Sequence, residues 1–125
     1  MENVGNIIFN QLKSLDLNSL YAWGASSFKS FKENQFLNED NKNHLGGLIF
    51  KVNGLKHKKH VLITLNYKDY YDIQIGTLSN GSFIKRKNSQ TLHDIDVDSL
   101  IESIDNLVEG YFENKKVYEN VNLFK

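Results

Sequence analysis

The chain has 125 residues, 40% hydrophobic and 24% charged, with 15 basic and 15 acidic side chains and a net charge of zero. That size and composition fit one ordinary globular domain with a real core. The absence of cysteine excludes disulfides and thiolate metal sites, the absence of proline excludes a rigid proline-rich linker, and no apolar run approaches the ~18 residues of a membrane span.

Val4, Ile7, Ile8, Leu12 and Leu15 recur at helical spacing and predict a helix from Val4 to Leu15 with Asn3 as its N-cap. Gly5 weakens its start, and Asp16, Asn18 and Ser19 read as a break. The next stretch reads as two short strands, Leu20–Trp23 and Ser27–Lys32, around a turn at Gly24–Ser26; a helix over Ser26–Glu33 competes with the second. Asn38–His44 is strongly polar and predicts an exposed loop, because such groups are costly to bury unpaired.

Leu48–Val52 reads as a strand between the turns Gly46-Gly47 and Asn53-Gly54. A basic connection, Leu55–His60, leads to a strand over Val61–Leu65, with Val61, Ile63 and Leu65 on one face. Asn66–Tyr70 turns the chain. Tyr71, Ile73 and Ile75 then face the core, with Asp72 and Gln74 outward. Asn80-Gly81 marks a tight hairpin, and Phe83–Lys87 returns as an edge strand whose charges discourage stray pairing. Val97, Leu100, Ile101, Ile104 and Val108 form the apolar stripe of a helix over Val97–Glu109, capped by Asp96 and ended by Gly110. The tail Tyr111–Lys125 reads as a second short helix or an arm. The order predicts a single α+β domain: an N-terminal helix, a mainly antiparallel sheet of about four to six strands, and a C-terminal helix packed on one face.

The residues that carry chemistry do not assemble into a catalytic pattern. His57 and His60 lie three apart, but the segment precedes a strand, its lysines repel a cation, and no neighbouring carboxylate completes a metal set. Asp69 and Asp72 flank Tyr70-Tyr71; paired carboxylates can do acid–base work, yet turn chemistry accounts for them. Gly46-Gly47 lacks the frame of a phosphate loop. Trp23, Tyr21 and Phe28, with Lys29 and Lys32 nearby, read as core first and as a base-stacking platform second. No catalytic, cofactor or metal residue is assigned.

Charge is unevenly spread. Residues 51–91 carry eight Lys and Arg against two Asp, and residues 92–125 carry eight Asp and Glu against three Lys. The basic set Lys51, Lys56, Lys58, Lys59, Lys85, Arg86 and Lys87 is the first candidate binding surface, for phosphates or an acidic protein. The acidic helix face of Asp98, Glu102, Asp105 and Glu109 is the second, for a basic groove.

Leu45-Gly46-Gly47-Leu48-Ile49-Phe50-Lys51-Val52, then Val61-Leu62-Ile63-Thr64-Leu65-Asn66, then Asp69-Tyr70-Tyr71-Asp72-Ile73, resembles a group of small proteins from phages and other mobile elements. Trp23-Gly24-Ala25-Ser26-Ser27-Phe28 matches the first turn of that group, and the resemblance spans Asn18 to Glu109. The group has no established activity, so no catalytic residue carries over. The loop Asn34–His44 and the tail after Gly110 depart from the pattern. The resemblance implies a non-catalytic binding protein in the cytoplasm of a bacterial host cell. The expected role is inhibition of a host defence system, in the manner of an anti-CRISPR protein, by occluding a host protein such as a defence nuclease. The alternatives are a nucleic-acid-binding accessory protein that uses the basic patch, and a metal-dependent enzyme whose site the sequence does not reveal. No cofactor and no membrane contact are predicted, and oligomeric state stays open.

Overall fold

The computed structural model describes residues 3–110. Helix α1 (Val4–Ala22) leads into strands β1 (Ser26–Phe31), β2 (Gly47–Lys51), β3 (His60–Leu65), β4 (Tyr71–Ser79), β5 (Ser82–Lys85) and β6 (Leu92–Ile95). A single 3₁₀ turn (Val97–Ser99) and helix α2 (Leu100–Glu109) follow. The sheet is antiparallel, in the order β1-β2-β3-β4-β5, with β6 also paired to β4. β5 takes the C-terminal half of β4 (Gly76–Ser79) and β6 takes its start (Tyr71 to Ile73). This is the expected α+β architecture.

α1 begins where the sequence places it: the Asn3 side chain accepts the Asn6 N–H at 2.8 Å. It does not end at Leu15. Asp16 leaves helical geometry (φ −165°, ψ 88°), and its carboxylate accepts from the Ser19 N–H at 3.2 Å and the Ser19 hydroxyl at 2.9 Å. Asp16 is therefore an internal N-cap that restarts the helix one turn after breaking it. The expected strand Leu20–Trp23 is consequently helical. Leu20 and Trp23, three apart, both turn inward, while Tyr21 stays 75% exposed. Ile7 and Leu15 are more than a third exposed, and the inward stripe of α1 is Gly5, Ile8, Leu12 and Leu20.

Gly5 is what lets α1 lie on the sheet. A Cβ there would land on Ser30 Cβ and the Gly47 carbonyl oxygen. The residue that costs helix propensity thus allows the backbone to approach closely. Above it, Ile8, Leu12, Trp23, Phe50, Ile63, Ile73, Leu100, Ile104 and Val108 form one core between the helices and the first sheet face. Trp23 Nε1 donates to Asp105 at 2.9 Å, tying α1 to α2. Asp96 caps the 3₁₀ turn through Ser99 N–H at 2.9 Å, and Gly110 ends α2 in the left-handed conformation (φ 68°).

The second sheet face is also covered. Phe31, Ile49 and Leu62 form a smaller cluster there with Phe36, Leu78 and Phe83. Asp72 and Gln74, expected in water, are 6% and 1% exposed. Asp72 is bonded by Asn66 and the Asp94 N–H, and Gln74 by the loop after β1, which folds back over this face. It is not the wholly exposed loop its polarity suggests, since Asn41 and His44 are 4% and 3% exposed. The buried polar groups of the loop and Gln74 meet partners, whereas Thr64 Oγ1 in β3 and Asn106 Oδ1 in α2 have no hydrogen-bond partner among the described residues. Asn38 Nδ2 donates to Gln74 Oε1 at 2.9 Å, and Asn41 Nδ2 to the Phe36 carbonyl at 3.1 Å. His44 holds the Gln35 carbonyl at 2.7 Å and accepts the Gly46 N–H at 2.9 Å. β6 was not foreseen in the sequence. The tail Tyr111–Lys125, read from the sequence as a short helix or an arm, lies outside the described residues.

Leu100→Ala is expected to lower unfolding free energy by about 2–5 kcal/mol, because its side chain is fully buried under α1. Urea titration followed by the fluorescence of Trp23, the single tryptophan, measures this. Gly5→Ala is expected to cost about 1–3 kcal/mol in the same assay by forcing helix and sheet apart.

Candidate docking surface

The connection between β2 and β3 folds as a compact basic turn. Val52 N–H reaches the Lys59 carbonyl at 2.8 Å, and Gly54 N–H reaches the His57 carbonyl at 3.0 Å. His57 is the wedge inside it, 4% exposed, with Nε2 donating to the His60 carbonyl at 2.8 Å. That bond places the ring proton on Nε2 and leaves Nδ1 as an acceptor. Arg86, just past β5, supplies the donor. Its Nη1 lies 2.8 Å from the Lys56 carbonyl and 3.4 Å from His57 Nδ1. Arg86 N–H also extends the β4–β5 ladder to the Ile75 carbonyl at 2.8 Å.

This bridge brings the two halves of the basic set to one cleft of about 560 Å³. Lys56, Lys58 and Lys59 line one wall, with Arg86 and Lys87 on the other. Between them lie Leu55 and Ile84, 76% and 58% exposed. β3 and β5 are not neighbours, since β4 separates them; the turn itself reaches across. Two members of the set fall away from this arrangement. Lys85 borders the cleft, but strand alternation turns its side chain to the face opposite Ile84, where Asp40 holds it at 3.0 Å. Lys51 sits opposite His60 in the β2–β3 register, outside the cleft.

The acidic set divides as well. Asp98 and Glu102 are exposed. Asp105 is occupied by the Trp23 indole, and Glu109 Oε2 receives the Leu55 N–H at 3.4 Å. Of the aromatic set read as core first, Trp23 is fully buried and Phe28 packs between Phe9 and Phe50 at ring distances of 4.7 and 5.0 Å, while Tyr21 faces solvent.

A polar hollow of about 390 Å³ lies at the other end of the sheet, between the loop after β1 and the β3–β4 turn. Buried Asp72 accepts at Oδ1 from Asn66 Nδ2 and Asp94 N–H, both 3.0 Å, with His93 Nδ1 at 3.3 Å. Asn66 Nδ2 also reaches Asp94 Oδ1 at 2.9 Å, and Lys68 pairs with Asp94 at 3.2 Å. This network satisfies the backbone where β6 bulges against β4 and Asp94 takes φ 58°. No spacing in the chain announces it, because its members come together only through β6. Asp69 sits in the exposed turn, as turn chemistry implies, at φ 69° with its N–H on the Asn66 carbonyl at 3.1 Å. Among the described residues, no group of three or more His, Cys, Asp or Glu converges as a metal site would. Nor is any described helix long and apolar enough to cross a membrane.

Comparison of the chain with protein families, with curated proteins and with solved structures found no match.

Burial pushes His44 and His57 below the ordinary histidine value of 6.5, and burial with the nearby Lys51 and Lys59 does the same for His60. A depressed folded value means stability that is complete above that ordinary value and lost as pH falls through the folded ones. Urea midpoints are therefore expected to drop between neutral pH and the region below 6.5. His57→Gln keeps a donor for the His60 carbonyl but cannot titrate, and should flatten that dependence.

Proposed function

We propose that this chain is a non-catalytic docking protein that covers an acidic surface of another protein with the cleft between the 55–59 turn and β5. The observation that carries the reading is the composition of that cleft. Lys58, Lys59, Arg86 and Lys87 surround exposed Leu55 and Ile84. An apolar centre with a charged rim is the anatomy of a protein interface. A phosphate-binding groove asks for cations alone or for cations with stacking aromatics, and Leu55 and Ile84 supply neither. The cations would steer an acidic partner and fix its register, while burial of the apolar centre supplies affinity.

The resemblance to phage and mobile-element proteins supports a host protein as that partner, and an anti-defence role by occlusion. A small domain that blocks a surface needs no active site of its own. The Asp72 network supports the same reading, since each of its described bonds has a structural purpose at the β6 bulge.

The test is capture from lysate of a bacterial host, with and without nuclease, comparing the natural chain with Lys58→Glu/Lys59→Glu/Lys87→Glu. The natural chain is expected to retain its partner after nuclease, and the variant to lose it by about tenfold or more at unchanged melting temperature. Loss of the partner on nuclease treatment would replace this reading with nucleic-acid binding. Equal capture by the variant would remove the cleft from consideration.

A further inference from the structure

The docking reading leaves open how a partner would engage the cleft, and β5 answers from its position. β5 ends the sheet path, and β4 is its one strand partner among the described residues. The hairpin register fixes which backbone groups are spoken for. Ser79 and Ser82 flank the two-residue turn, Thr77 pairs with Ile84, and Arg86 N–H bonds the Ile75 carbonyl. In an antiparallel ladder hydrogen-bonded and non-bonded positions alternate. Ser82, Ile84 and Arg86 therefore direct their backbone groups to β4, and Phe83 and Lys85 direct theirs outward.

The same alternation sorts the side chains. Ile84 and Arg86 share the face of the basic turn, whereas Phe83 and Lys85 lie on the other. On that other face Phe83 packs with Leu78, and Lys85 is held by Asp40. The strip beyond β5 is thus cationic on one side, with Arg86, Lys58 and Lys59, and apolar on the other.

The geometry points to strand addition: the partner contributes an extended segment that pairs with the outer edge of β5, with acidic side chains on the face of the basic turn and apolar ones on the face of Phe83. This deepens the docking reading and rests on it. Backbone bonds supply the attachment, and alternate side chains supply the selection, as in other edge-strand complexes. Charge decides the occupant. A second copy pairing β5 to β5 would set Lys85, Arg86 and Lys87 against themselves, and like charges directly opposite are destabilising. An acidic strand turns the same residues from a barrier into a contact.

The probe is a capped heptapeptide alternating glutamate and valine, made in three forms: unmodified, N-methylated at the glutamates, and N-methylated at the valines. In an extended strand these two sets of N–H groups point to opposite edges, so only one set can meet β5. The unmodified peptide is expected to bind, and to slow hydrogen exchange of the Phe83 and Lys85 amides or their immediate neighbours by about tenfold or more. One methylated form should bind within about twofold of it, and the other should lose about tenfold or more. Equal binding by both methylated forms, protection away from β5, or no binding by the unmodified peptide would each overturn strand addition. The docking reading answers to a different measurement. If lysate capture still depends on Lys58, Lys59 and Lys87, it stands whatever the peptide does; if capture ignores them, it falls even where the peptide binds.

Discussion

The central strands of this sheet have no solvent face. Val61, Leu62, Ile63 and Thr64 of β3 and residues 71–76 of β4 are all buried, so each successive side chain needs cover on its own side. On one side that cover is apolar and helical, with α1 and α2 closing over Ile63 and Ile73. On the other it is an apolar patch of Phe31, Ile49 and Leu62 beside two polar closures: the loop after β1 bonds Gln74 through Asn38, and the β3–β4 turn and β6 bond Asp72 through Asn66 and the Asp94 N–H. A buried amide or carboxylate left unpaired costs a large share of a small domain's stability. The bonds from Asn38, Asn66 and the Asp94 N–H are therefore conditions of the fold.

With both sheet faces covered, the basic cleft lies at the rim. β5 sits at the end of the sheet, and the 55–59 turn is anchored beside it by His57 and Arg86. The cations of that turn are held by a buried imidazole and backbone bonds, so the cleft is organised before any partner arrives. A surface ordered in advance spends less conformational entropy on binding.

Much of this was legible in the chain. The β3–β4–β5 meander followed from period-two alternation and Asn80-Gly81, and α2 from a stripe at helical spacing with Asp96 and Gly110 at its ends. The features that local sequence does not reveal have common physical causes. Asp16 looked like a terminator, and it is one; the helix resumes because the same carboxylate caps the next turn. Asp72 and Gln74 looked solvent-facing because one-sided burial is the default for an antiparallel strand, and nothing local declared that a distant loop would cover them. β6 is only four residues long, and its pairing with β4 is broken by a bulge. For the surface, sequence supplied the cations but not their grouping. Lys85 and Arg86 are adjacent in the chain and face opposite ways, one spent on Asp40 and the other bridging to the basic turn.

The indole bond of Trp23 to Asp105 spans 82 residues of chain. α1 is made well before α2, yet the two cover the same floor. On the ribosome, Ile8, Leu12, Leu20 and Trp23 emerge long before Leu100, Ile104 and Val108 exist to roof them. β1 and β2 can shelter part of the α1 stripe once residue 51 is made, but the side that α2 closes stays open until residues 100–109 follow, and a chain cut ahead of residue 100 keeps it open.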